Sequence, residues 1–364
     1  MVIHEKYLAS PTFDDMQELM HVLLEGQLSG TGNAVKSYEK LLAERFQRAC
    51  VVTNSGSAAI ETALVTAGVK PGDEVILPGY APIPTILPIL SVGAVPRFID
   101  TAHIGTLDVD DAVLLGEITR KTRAVIFLPM WGYPPNYRQQ VQLLRERGVA
   151  TIEDACQAHF AVDGDGLIGT LADFGCFSTH DRKILSTGEG GFLLCNADEA
   201  AERARLYTRL GGMKGTAYGP NFKLSALQAA LGIARLRRVD EQLSIRARNA
   251  RRVLDAVTGY GWRELEYATG GHPNYYVLVL LASTDDPGQL QRVLMERGLS
   301  TDFLNYGPAQ YRRELFGTAG LNLPNAVAMQ AAAVTVPVHP GISERDVQEL
   351  CDLLVDVADI FSRR

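Results

Sequence analysis

One pattern constrains the fold of this chain more than any other: between residues 50 and 195, short apolar runs alternate with stretches of helical periodicity. Residues 50–53, 71–78 with its opening turn, 93–100, 122–130, a run starting at Val149, 174–177 and 189–195 read as strands. The Ala-rich stretch reaching Leu64 and residues 83–90 and 137–148 read as the helices between them. Strands joined through single helices pair in parallel, because the crossover carries the chain back to the starting end of the sheet. The expectation is therefore an α/β fold with a mostly parallel sheet flanked by helices. In such sheets, chemistry gathers beyond the C-terminal ends of the strands.

The flanking sequence adds helices at 12–26 and 34–46, another at 197–210, and a long Arg-rich one from Leu224 to about Asp255. Because acids interleave with its arginines (Arg235, Arg237, Arg238, Arg246, Arg248, Arg251, Arg252), this run reads as a solvated face. A strand at 275–281 and helices at 287–297 and 343–361 complete the chain. A boundary near residue 240 then divides the 364 residues into a large domain, 1–240, and a smaller α+β domain, 241–364.

A net charge of −7 and a pI near 5.6 disfavour nucleic-acid or acidic-membrane partners, which call for a basic face. Five cysteines, odd in number and without a C-x-x-C pair, suggest neither zinc nor a redox couple, and no metal is expected. They read as small buried hydrophobes in a reducing compartment. Residues 1–7 lack the layout of a signal peptide and no apolar run approaches a bilayer span, so a cytoplasmic protein is expected.

Candidate chemistry lies at three strand ends. In Asn54-Ser-Gly-Ser-Ala-Ala59, a strand runs through a small-residue turn into a helix, which offers free N–H groups and the positive helix end to an anion. Gly56 permits close approach, Ser55 and Ser57 add hydroxyls, and Ala58 continues the turn; an ordinary serine cap would leave the same trace. Asp154 closes its strand, with Gln157 and His159 just beyond, although a turn-capping aspartate gives this pattern too. In Ser178-Thr-His-Asp-Arg-Lys183, the lysine follows a buried strand, where a partly desolvated amine is a nucleophile for a carbonyl. A surface lysine beside Arg182 is the plain alternative. Together, and in this order, the three match what pyridoxal 5′-phosphate requires: donors for its phosphate, an amine for its aldehyde and a carboxylate for its ring nitrogen. A lysine released from such a Schiff base can shuttle the substrate's Cα proton, which yields transamination.

At this point the chain resembles the DegT-type (DegT/DnrJ/StrS) sugar aminotransferases, which are fold-type I pyridoxal-phosphate enzymes. The resemblance spans nearly the whole chain and rests on Asn54-Ser-Gly-Ser-Ala-Ala59, Pro71-Gly-Asp-Glu-Val75, Glu153-Asp-Ala-Cys-Gln-Ala158, Ser178-x-His-x-x-Lys183, Thr187-Gly-Glu-Gly-Gly191, Gly219-Pro-Asn-Phe-Lys-Leu-Ser225 and Val336-Pro-Val-His-Pro-Gly341. It implies Lys183 as the lysine that bonds the cofactor and moves the proton, Asp154 as the ring-nitrogen partner and Gln157 as the group near the phenolic oxygen. It implies Gly56, Ser57 and Ser178 as phosphate contacts, and Asn221 as an asparagine reaching the phosphate of a neighbouring subunit, hence a homodimer with shared sites. Sugar dehydratases of the same family carry histidine at the lysine position, so Lys183 favours amino transfer.

Three departures from the family pattern bear on the substrate. The position of the aromatic that stacks on the cofactor ring is Pro82, leaving proline or a displaced Tyr80 to pack there. The usual strand-end histidine is Pro129, and the arginine after the asparagine is Lys223, which keeps the charge without the bidentate fork. His180 is read as either a phosphate or substrate contact or a structural loop residue. Lys223, Tyr306 and Gln310 are candidates for substrate binding. The leading expectation is transfer of an amino group from glutamate or glutamine to a keto sugar, often nucleotide-linked, or to a cyclitol. The alternatives are another Cα reaction on the same cofactor, such as elimination, and a non-catalytic regulatory protein on the same fold.

Overall fold

The computed structural model describes residues 10–299 and 321–362, save 165, 283 and 285. Its centre is a seven-stranded sheet built from β1 (Ala49–Thr53), β2 (Glu74–Pro78), β3 (Val95–Ile99), β4 (Thr122–Phe127), β5 (Ala150–Asp154), β8 (Phe174–Ser178) and β9 (Gly191–Cys195). The order is β1-β9-β8-β5-β4-β2-β3, and β9 alone runs antiparallel to its neighbours. Between β5 and β8 lies the short hairpin β6 (Val162–Asp163) and β7 (Gly166–Leu167). Inner strands such as Val75-Ile76-Leu77 are buried on both faces, which is why they read as continuous apolar runs. All the parallel strands end on one edge of the sheet.

Local signals set the helix limits. Thr12 and Asp15 form a capping box at the start of Phe13–Glu25, and Gly26, at φ 70°, ends it. Ser55 caps Gly56–Thr66 by accepting from the Ala58 amide. The run from 224 to 255 is not one helix but two, Ala226–Leu236 and Val239–Val257, and no Gly or Pro marks the break. The arginines around it pair with acids of the first helix, and Arg235 and Arg238 turn partly inward to do so. Arg238 donates to the buried Asp15 at 2.9 Å, Arg237 reaches Glu18, and Arg246 is only 1% exposed. The solvated-face reading therefore fails for Arg246 and in part for Arg235 and Arg238, because burial supplies them with carboxylate or carbonyl partners.

A second, antiparallel sheet has the order β10 (Trp262–Glu264), β11 (Leu278–Ala282) and β12 (Ala333–Val336). Its apolar core includes Leu278, Leu280, Val334 and Val336 with Ala250, Val253, Leu350 and Leu354 from the helices Val239–Val257 and Glu344–Ser362. The helices Asp111–Gly116 and Pro324–Ala332, and the strands β10 and β12, were not anticipated. The strand expected from Tyr275 starts only at Leu278; Tyr275 holds φ 50°, and residues 274–277 take an irregular path toward the large sheet.

Candidate active site

The large sheet's C-terminal edge opens into a cavity of about 370 Å³. Gly56, Ser57, Asp154, Gln157, Ser178 and Lys183 all line it, so residues more than a hundred positions apart in sequence meet at one place. Pro82, His180 and Arg182 line it as well.

β5 separates two adjacent carboxyls by strand alternation. Glu153 faces away from the cavity and is fully engaged: it accepts from the Tyr137 hydroxyl, the Gly169 amide at 2.7 Å, and the Leu171 and Ala172 amides at 2.9 Å each. Burial raises its pKa, and those donors oppose the shift. Asp154 faces the cavity and keeps acceptor capacity. Its Oδ2 accepts from the buried Thr85 hydroxyl and its Oδ1 from the Cys156 amide at 3.2 Å, while an ionised carboxylate offers about four acceptor sites.

The cradle at the start of Gly56–Thr66 depends on a missing side chain. A Cβ on Gly56 would lie 2.7 Å from Ser178 Cβ and 2.8 Å from Cys156 Sγ, closing the space between the helix end and the loop after β8. The Gly56 and Ser57 amides meet no acceptor among the described residues, as expected for the first turn of a helix. The Ser57 hydroxyl donates to the Pro84 carbonyl at 3.1 Å, and Ser178 Oγ accepts from the His180 amide at 3.3 Å. Ala58 serves the helix cap and does not line the cavity.

Lys183 is held by its backbone, whose amide donates to the His180 carbonyl at 2.8 Å, and its Nζ lies 5.1 Å from the centroid of the Tyr276 ring. His180 faces Glu189 at 3.8 Å and accepts from the Arg182 amide. Gln157 Oε1 accepts from the Trp131 amide at 2.8 Å, which leaves its NH₂ free to turn toward the cavity. Burial, followed by the Asp154 charge, pushes the Cys156 thiol well above its ordinary range. Burial, followed by the Lys183 charge, lowers His159 to about 3, so its ring is neutral against Phe177 and Phe192.

Several expectations are redirected. Tyr80 does not line the cavity: its hydroxyl donates to the carbonyls of Leu107 at 3.1 Å and Leu128 at 3.0 Å, and its ring is 2% exposed in the core. Of the two stacking candidates, only Pro82 faces the cavity. Asn221 is exposed outside it, with its Oδ1 accepting from Lys223 Nζ at 2.6 Å. Tyr306 and Gln310 lie outside the described residues. Sequence reasoning missed Thr85, whose signal is the threonine closing Pro82-Ile-Pro-Thr85, and Tyr276, which no local motif marks.

A strand-end lysine, a strand-end carboxylate and a glycine-floored anion cradle around one cavity on a mostly parallel sheet define a pyridoxal-phosphate aminotransferase. The chain belongs to the DegT/DnrJ/EryC1/StrS aminotransferase family, whose model matches residues 12–355. It is 31% identical over 298 residues to an L-glutamine:2-deoxy-scyllo-inosose aminotransferase from Streptoalloteichus tenebrarius, covering 76% of this chain and 70% of that one. It is 28% identical over 353 residues to a GDP-perosamine synthase from Caulobacter vibrioides, covering 91% of each. Among solved structures, the aminotransferase TlmJ from Streptoalloteichus hindustanus superposes with a TM-score of 0.90 at 27% identity, covering 99% of this chain and 100% of that one. The cofactor is pyridoxal 5′-phosphate, and the Gly56 cradle, the spare acceptor sites of Asp154 and the amine of Lys183 fit its three groups. Among the described residues no helix is long and apolar enough to cross a membrane, and no cluster of His, Cys, Asp or Glu could hold a metal ion.

Proposed function

We propose that the protein transfers an amino group from glutamate or glutamine to a keto sugar, nucleotide-linked or free, or to a cyclitol. The observation that carries this reading is the meeting of Lys183, Asp154 and the Gly56 cradle around one cavity. When bound, the cofactor supplies an electron sink for the charge left at the substrate carbon. The protein supplies the rest. The Gly56 and Ser57 amides and the Ser178 hydroxyl would hold the phosphate, and Asp154, held by Thr85 and the Cys156 amide, would face the ring nitrogen and favour its protonated form. Lys183 Nζ would take the proton from the donor's Cα and deliver it, across the intervening nitrogen, to the carbon of the cofactor's former aldehyde. The acceptor class is drawn from the relatives, which act on a scyllo-inosose and make a GDP-linked aminosugar.

A homodimer with shared sites belongs to the same proposal. Asn221 and Lys223 stand outside their own cavity, and the helix Phe13–Glu25 exposes Phe13, Met16, Met20, Leu23 and Leu24 on its outer side. The test is a half-reaction: glutamate or glutamine, added to the yellow holoprotein, should bleach the lysine-bound absorbance and release the corresponding 2-oxo acid in one equivalent per site. Bleaching with loss of the amino acid by elimination or decarboxylation, and no 2-oxo acid, would overturn amino transfer.

A further inference from the structure

The ring over which Lys183 Nζ sits comes from the far part of the chain and is placed there by an unusual concentration of buried polar contacts. Asn274, 4% exposed, donates from Nδ2 to the carbonyls of Gln157 and His159 at 2.9 Å each, and its Oδ1 accepts from the Tyr276 amide at 2.8 Å. Gly132 makes room for it: a Cβ there would fall 1.8 Å from Asn274 Oδ1. Arg246 donates from Nη1 to the carbonyls of Tyr275 at 3.2 Å and Tyr276 at 3.0 Å. A buried guanidinium is costly unless its donors are engaged, so its use on two consecutive carbonyls fixes the path of this segment. Tyr276 is thereby held against the cavity wall at 8% exposure.

We propose that Tyr276 is a positioning residue that acts through Lys183: the face of its ring stabilises the ε-ammonium formed while the lysine carries the substrate proton. The inference rests on reading Lys183 as the proton shuttle. In that step the donor's Cα–H bond breaks, the proton bonds to the Nζ lone pair, and the electron pair is left to the substrate carbon and the electron sink beside it. While it holds that proton the amine is cationic. A ring quadrupole with its negative face toward Nζ favours the charged form, while adding no hydrogen-bond acceptor that would have to be broken when the proton is handed on. Arg246 and Asn274 keep the ring in place through the backbone of residues 275 and 276.

The test compares Tyr276→Phe with Tyr276→Leu, and adds full-length protein carrying mono-, di- and trifluorinated phenylalanine at position 276. Two readouts are used: the rate of Cα-proton removal from glutamate in the holoenzyme, and the rate at which trinitrobenzenesulfonate labels Lys183 in cofactor-stripped protein, located by peptide mass. Tyr276→Phe should match the parent within about twofold, while Tyr276→Leu should slow proton removal and speed labelling, each by roughly tenfold. Across the fluorinated series, which holds shape nearly constant, both effects should grow stepwise. A flat fluorine series, or a Phe variant as impaired as the Leu variant, would overturn the role of the ring face. Borohydride trapping in the same samples separates the two readings. Cofactor fixed to Lys183 with a flat series refutes only the role of Tyr276, whereas cofactor fixed to another lysine refutes the shuttle itself.

Discussion

Asp154 and Glu153 are neighbours with opposite fates, and the difference is made by what faces them. Glu153 is saturated by four donors and serves the fold; Asp154 has two and keeps capacity for a ligand. His159 is governed by burial in a similar way. Its pKa falls from 6.5 to about 3, so between those values the unfolded chain binds a proton that the folded chain refuses. Stability is therefore lost as pH falls below about 6.5, by up to about 1.4 kcal/mol per pH unit from this one group. His159→Leu should flatten that part of the acid limb in urea unfolding followed at a series of pH values. An unchanged slope between pH 6 and pH 4 would contradict the assignment.

At the scale of elements, the site depends on strand ends being joined by short, strained or capped connections. The segment 274–276 is the connection that brings the second sheet to the first. Asn274→Ala removes two donors and one acceptor from buried backbone groups, with an expected cost of about 2–4 kcal/mol. Denaturant titration measures it, and a change under about 0.5 kcal/mol would show the contacts to be dispensable. The strand-end residues were legible in the sequence because each lies in a contiguous motif whose periodicity marks the strand before it. Tyr276 was not: it sits just before a strand and acts through a left-handed Tyr275, a conformation that nothing in the local sequence demands. The break at Arg237–Arg238 was hidden too, since it depends on Asp15 and Glu18 from more than two hundred residues away. Tyr80 illustrates the opposite error. An aromatic near the expected stacking position was a fair candidate, but two backbone carbonyls claim its hydroxyl.

For the whole molecule, the proposed dimer makes each site a composite, and composite sites can complement one another. Mixing a Lys183→Ala chain with an Asn221→Ala chain, each inactive alone, should restore about a quarter of parental activity, because half the dimers are mixed and each mixed dimer holds one intact site. No recovery after subunit exchange would place Asn221 in its own chain's site. The central claim is that one amine, among all the lysines of the chain, bonds the cofactor, and borohydride reduction of the holoprotein followed by peptide mass mapping tests it most directly. The reduced cofactor should be found on the peptide containing Lys183 at close to one equivalent per chain and be missing from Lys183→Ala; stoichiometric label on any other lysine would contradict the account.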